Sequence, residues 1–126
     1  MTHTHAGFTV ESKQCRAHVE KLGNLAIVEV SGAVDLGTAS ILEAAITKAI
    51  GLRPRGVVVD LAAVDFLASA GMTVLLDGHQ RMGEPGRFAV TASGSPAVRV
   101  MKLVQLDYTI PIYHSRKAAI EALRSA

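Results

Sequence analysis

Three consecutive valines, Val57, Val58 and Val59, set the tightest limit on how this chain folds. A strand that is apolar on both faces must be covered on both, which places it in the middle of a sheet flanked by helices, most often a parallel one. The residues before it supply one such helix. Leu42, Ala45, Ile46 and Ala49 recur at i, i+3, i+4 and i+7, beginning near Thr38 and stopping at Gly51 and Pro54. The residues after it supply a second, in which Met72, Leu75, Leu76 and His79 form a stripe that starts around Ser69 and breaks at Gly83, Pro85 and Gly86.

The flanks complete the order of elements. Residues 8–13 and 16–21 read as short strands, and Gly23 and Asn24 turn the chain into a third at 25–30, making an N-terminal antiparallel ribbon. Residues 88–91 form another strand. Ser95 followed by Pro96 is an N-cap with proline at the first helical position, and Ala97, Val98 and Met101 supply the buried side of that helix. Ile110, Pro111, Ile112 and Tyr113 are strand-like, and the proline confines them to an edge. Ser115 caps a last helix whose inward residues are Ala119, Ile120 and Leu123. The expected fold is α/β: a single domain over residues 8–126, with a mixed sheet of about five strands and about four helices packed on it, after a disordered tail at 1–7. At 126 residues and 49% hydrophobic content, such a core closes without a disulfide or metal staple.

Charge narrows the partners. Thirteen basic against eleven acidic residues leave a net charge of +2, and Arg53, Arg55, Arg81, Arg87, Arg99 and Arg116 are scattered, so nucleic acid is not expected as a partner. The longest uncharged runs, 66–76 and 88–98, fall far short of the roughly 20 residues that span a bilayer, so no membrane is expected either. Met1 to His5 lack the basic and apolar regions of a secretory signal, and a lone Cys15 forms no intrachain bridge; both point to the cytoplasm. Cys15 reads as an inert strand thiol, His3 and His5 as part of the polar tail, and Asp60 and Asp65 as structural carboxylates. No metal or cofactor is expected.

Two segments follow apolar strands and open helices, 32–38 (GAVDLGT) and 65–72 (DFLASAGM), and neither carries a glycine-rich phosphate cradle. Taken with SGAVDLGTA at 31–39, VVVDL at 57–61 running on through Phe66 to Leu75, and SPAV at 95–98 with Leu106 beyond it, the chain resembles the STAS domain family. The likeness is to the bacterial anti-sigma-factor antagonists, in order from about Leu25 to Leu123.

The resemblance implies a protein that binds an anti-sigma factor with serine-kinase activity and so releases a sigma factor. Phosphorylation by that partner ends the interaction, and a serine phosphatase restores it. The family's acceptor serine, two positions before the glycine that opens the helix, falls on Ser69 before Gly71, and the family's first-loop aspartate, a partner contact, falls on Asp35. Ala68 and Ala70 replace the family's usual acid before the acceptor and frequent hydroxyl after it, leaving Ser69 the one hydroxyl between Asp65 and Thr73. Met72, Thr73 and Leu76 at i+3, i+4 and i+7 from Ser69 complete the expected partner surface. Gly71 is expected to admit a partner backbone, so that Gly71→Arg blocks docking and leaves the fold largely intact.

Plainer readings stand beside these. Ser69 is also a natural N-cap, and Asp35 a natural turn residue that satisfies nearby amides. An enzyme with Ser69 as nucleophile is disfavoured, because no G-x-S-x-G elbow surrounds it. A non-phosphorylated STAS subunit of a lipid-transport or stress-signalling complex is the alternative function.

Overall fold

A computed structural model describes residues 7–83, 87–92 and 94–125. All but Gly7 of the expected tail, with His3 and His5, lies outside the described residues. The strands are β1 (Phe8–Glu11), β2 (Cys15–Leu22), β3 (Leu25–Val34), β4 (Gly56–Leu67), β5 (Phe88–Thr91) and β6 (Ile112–Tyr113). The helices are α1 (Ala39–Gly51), α2 (Ser69–Met82), α3 (Pro96–Leu103) and α4 (Arg116–Ser125), with one 3-10 turn at Leu106–Tyr108.

The six strands form one sheet in the order β1-β2-β3-β4-β5-β6, in keeping with the expected sheet of about five, and each falls on a strand-like segment of the sequence, the edge strand β6 being only two residues long. The first three strands pair antiparallel and the rest parallel. Pro111 precedes the edge strand, where its missing N–H costs no ladder bond, and its carbonyl accepts from Val90 N at 3.0 Å.

The triple valine is divided between two cores. Val57 and Val59 face α1, α2 and α3 in a large cluster with Val28, Leu42, Ile46, Leu61, Leu75 and Phe88. Val58 faces the opposite side, where Leu25, Ile27 and Ala89 meet Ala119 and Leu123 of α4. The α1 stripe is as spaced in the sequence: Leu42, Ala45, Ile46 and Ala49 are all buried. On α2 the inward line is Gly71, Leu75 and Gly78. A Cβ on Gly78 would lie 3.0 Å from both Ile46 Cγ2 and Phe88 Cε2, so its hydrogen lets α2 settle close on α1 and β5. His79 packs edge-on to Phe88 with ring centroids 6.2 Å apart, and its Nδ1 is buried with no hydrogen-bond partner among the described residues.

β4 extends well past the valines. Its register against β3 slips twice, between Glu29 and Ser31 and between Gly32 and Ala33, each time with one extra residue in β4. The inward residues of that half, Leu61, Val64 and Leu67, are therefore three apart instead of two. Much of what reads as a loop at 65–72 is the end of a bulged strand leading directly into a helix.

Candidate functional site

β3 and β4 end side by side, with Val34 opposite Leu67, and Ala68 N donates to the Val34 carbonyl at 2.8 Å. The chain leaves β3 into residues 35–38 and leaves β4 into α2 from this common point, so Asp35 and Ser69, far apart in sequence, share one rim.

The first turn off the rim is tied by Asp35 and Thr38. Asp35 N donates to Thr38 Oγ1 at 2.9 Å, and Asp35 Oδ1 accepts from Thr38 N at 3.0 Å. The Thr38 hydroxyl donates to the Ala33 carbonyl at 2.7 Å and lies 3.1 Å from Asp35 Oδ1. Thr38 is buried by this arrangement, and Asp35 O accepts from Ala39 N at 2.8 Å as α1 begins. Asp35 thus does the work of a turn residue with one carboxylate oxygen. Leu36, next along, is thrown outward at 86% exposure.

Ser69 is the first residue of α2, and Ala68, in extended backbone, holds the cap position, so the N-cap reading of Ser69 does not hold. No side chain caps this helix and no acid lies in its first turn. Met72 N and Gly71 N donate to the Ala68 carbonyl, while the N–H groups of Ser69 and Ala70 have no partner among the described residues, as the first amides of a helix do. Ser69 is exposed; its carbonyl accepts from the Thr73 hydroxyl at 3.1 Å, and its own hydroxyl is unbonded among the described residues.

The remaining members of the expected surface separate. Thr73 is exposed and Leu76 half-buried, so Ser69, Thr73 and Leu76 run along the outward side of α2. Met72 is half-buried and packs against the large core. Gly71 is fully inside: a Cβ there would lie 2.6 Å from Leu67 Cδ1 and 2.7 Å from Val34 Cγ1. This corrects the expectation that it admits a partner backbone and tolerates arginine, because the close approach it permits is that of α2 to the ends of β3 and β4. Phe66 lies at the same rim and is 52% exposed. Leu36 and Phe66 were not singled out from sequence, where both look like ordinary apolar residues of a loop; their exposure follows from the Asp35–Thr38 turn and the β4 bulges.

Beneath the rim, Cys15 pairs with Gly32 in the sheet and is buried. Burial, and after it the negative charge of Asp35, push its thiol above the ordinary value of 9.0, leaving it protonated and unreactive at neutral pH. Asp60 is structural, as expected: it takes two bonds from Arg116, at 2.7 and 3.1 Å, and its other oxygen accepts from Ala62 N. Among the described residues no group of three or more His, Cys, Asp or Glu is placed to hold a metal ion, and no helix is long and apolar enough to cross a membrane.

Comparison with known proteins bears on the family and the fold. The family model described as the STAS domain matches residues 16–119. The anti-sigma-F factor antagonist RsfB of Mycobacterium tuberculosis is 34% identical over 100 residues, covering 79% of this chain and 82% of its own. A crystal structure of an anti-sigma factor antagonist from Mycobacterium paratuberculosis aligns at a TM-score of 0.83 with 34% identity, over 91% of this chain and 99% of that one. The anti-sigma factor antagonist SpoIIAA in its unphosphorylated form shares the fold at a TM-score of 0.69 and 18% identity, over 87% of this chain and 97% of that one.

Proposed function

The chain belongs to the STAS domain family, and from that premise we propose that it is an anti-sigma factor antagonist, a binding protein rather than an enzyme, whose partner is an anti-sigma factor with serine-kinase activity. The rim at the ends of β3 and β4 is the docking surface. Leu36 and Phe66 supply apolar contact area, Asp35 offers its second carboxylate oxygen, and Ser69, Thr73 and Leu76 carry the surface along α2. Ser69 is the phosphate acceptor, and a serine phosphatase reverses the modification. The observation that carries this reading is an exposed serine hydroxyl, unbonded among the described residues, on the first turn of a helix that starts from the rim where Leu36 and Phe66 are exposed.

The energetics favour a switch at the surface. Phosphate adds about −1.5 to −2 charge. The free amides of Ser69 and Ala70 and the positive end of α2 favour that charge by about 0.3–1 kcal/mol, so the isolated domain keeps its fold. Ala68 helps, since its methyl offers no side-chain oxygen to compete for those amides. Covered by a partner, the same group must lose its water, at a cost of several kcal/mol. Even about 3 kcal/mol weakens binding more than about a hundredfold.

Incubation with an anti-sigma factor kinase and ATP, followed by peptide mass spectrometry, tests the assignment. One phosphate on Ser69, absent from Ser69→Ala, is expected; incorporation elsewhere, or none with a kinase that binds the protein, contradicts it.

A further inference from the structure

The parallel half of the sheet has a second opening on the same edge, independent of any role for Ser69. β5 ends at Thr91 and β6 at Tyr113, paired in register, and Ala92 N reaches the Tyr113 carbonyl at 3.4 Å. β6 is only two residues long, and no described strand lies beyond it in the sheet to close the space between its end and α3. The result is a cavity of about 340 Å³. Its walls are Ala92, Val98 and Ile112, and its polar lining is Lys102, Tyr113 and His114. Val98 and Lys102 are four apart on α3 and so present one face to it. Binding residues are commonly carried by the loops that leave such strands.

The chemistry of the lining selects the ligand. Among the described residues it holds a lysine and a histidine and no carboxylate. Neither Lys102 nor His114 has an ion pair or side-chain hydrogen bond among the described residues, so their donors are unengaged. A cation facing three apolar walls in a concavity at the small end of the ligand-pocket range suits a compact molecule with one acidic head on an apolar body. We propose that this cavity binds a small organic anion, its phosphate or carboxylate head between Lys102 and His114 and its apolar body against Ala92, Val98 and Ile112.

The test is a titration of the full chain followed by amide NMR, with phenyl phosphate, benzoate and inorganic phosphate as probes. Saturable shifts confined to Gly94, Val98, Lys102 and His114 are expected for at least one aromatic anion. The tighter of phenyl phosphate and benzoate identifies the head group. Inorganic phosphate, which leaves the apolar walls uncovered, binds at least about tenfold more weakly. Lys102→Glu, on an exposed and unbonded side chain, weakens the preferred probe at least about tenfold. His114→Ala, equally exposed, is the second variant and weakens it severalfold. Absence of saturation by either aromatic anion, inorganic phosphate binding as tightly as both, or unchanged affinity in both variants overturns the assignment. Ser69 phosphorylation in Lys102→Glu separates the two sites, and it proceeds at the unmodified rate if the anion cavity stands apart from docking.

Discussion

Truncating Leu36 or Phe66 removes apolar surface that the folded domain leaves mostly in water at Leu36 and about half in water at Phe66. Leu36→Ala and Phe66→Ala therefore shift stability by no more than about 0.5–1 kcal/mol, while as anchors of the proposed interface each is expected to lower affinity for the anti-sigma factor by about ten- to a hundredfold. Titration calorimetry beside thermal melts separates these effects, and unchanged affinity in both variants removes the apolar half of the docking surface. Gly71 behaves in the opposite way. Gly71→Val drives a side chain into Leu67 and Val34, costs about 1–3 kcal/mol and lowers the melting temperature by several degrees; a melt indistinguishable from the parent contradicts the packing described. Sequence reasoning placed Ser69 correctly at the start of its helix through the family pattern, and found both roles open to Asp35. It misread Gly71 because a missing side chain carries no sign of which direction the space is needed in. It passed over Leu36 and Phe66 because their exposure is decided by turns and bulges, not by residue type.

At the scale of elements, the stripe of α1 was legible: the four apolar residues at helical spacing are all buried, and Ala39 at the start of the helix joins them. The caps at Ser95 and Ser115 were legible as well, since Ser95 Oγ accepts from Ala97 N and Ser115 Oγ from Ala118 N. β4 was legible only in its first half. Two inserted residues change its inward spacing from two to three, and a period-two reading ends where the strand in fact continues. The attachment of α4 was equally hidden, because it joins residues far apart in the chain. Arg116 bonds Asp60 at 2.7 Å and Glu29 at 2.8 Å, linking α4 to β4 and β3. Arg116→Leu leaves the Asp60 side chain, 13% exposed, without its cation. Because Arg116 itself is 41% exposed, the cost is discounted from that of a fully buried pair to about 1–2 kcal/mol. Hydrogen exchange in α4 is expected to quicken before that of β4, and uniform exchange across both elements contradicts this view of Arg116 as the fastening of α4.

Across the whole molecule, the alternation of strand and helix after residue 38, with a ribbon before it, was enough to anticipate a mixed sheet with a parallel half, and each strand pairs with the next one along the chain. Such a scaffold suits the proposed switch, which needs no moving part. The core behind the rim is closed, Cys15 and Thr38 are sealed beneath it, and Ser69 stands outside on the open end of a helix. Added charge meets solvent and free amides when the protein is alone and meets a desolvated surface when it is bound. The most direct measurement is the affinity of stoichiometrically Ser69-phosphorylated protein for the anti-sigma factor, set beside the unmodified protein, with circular dichroism and thermal melts on the same two samples. Binding weakened more than about a hundredfold with superimposable spectra and melts is the predicted result. Equal affinities, or weakened binding accompanied by loss of the folded spectrum, would contradict it.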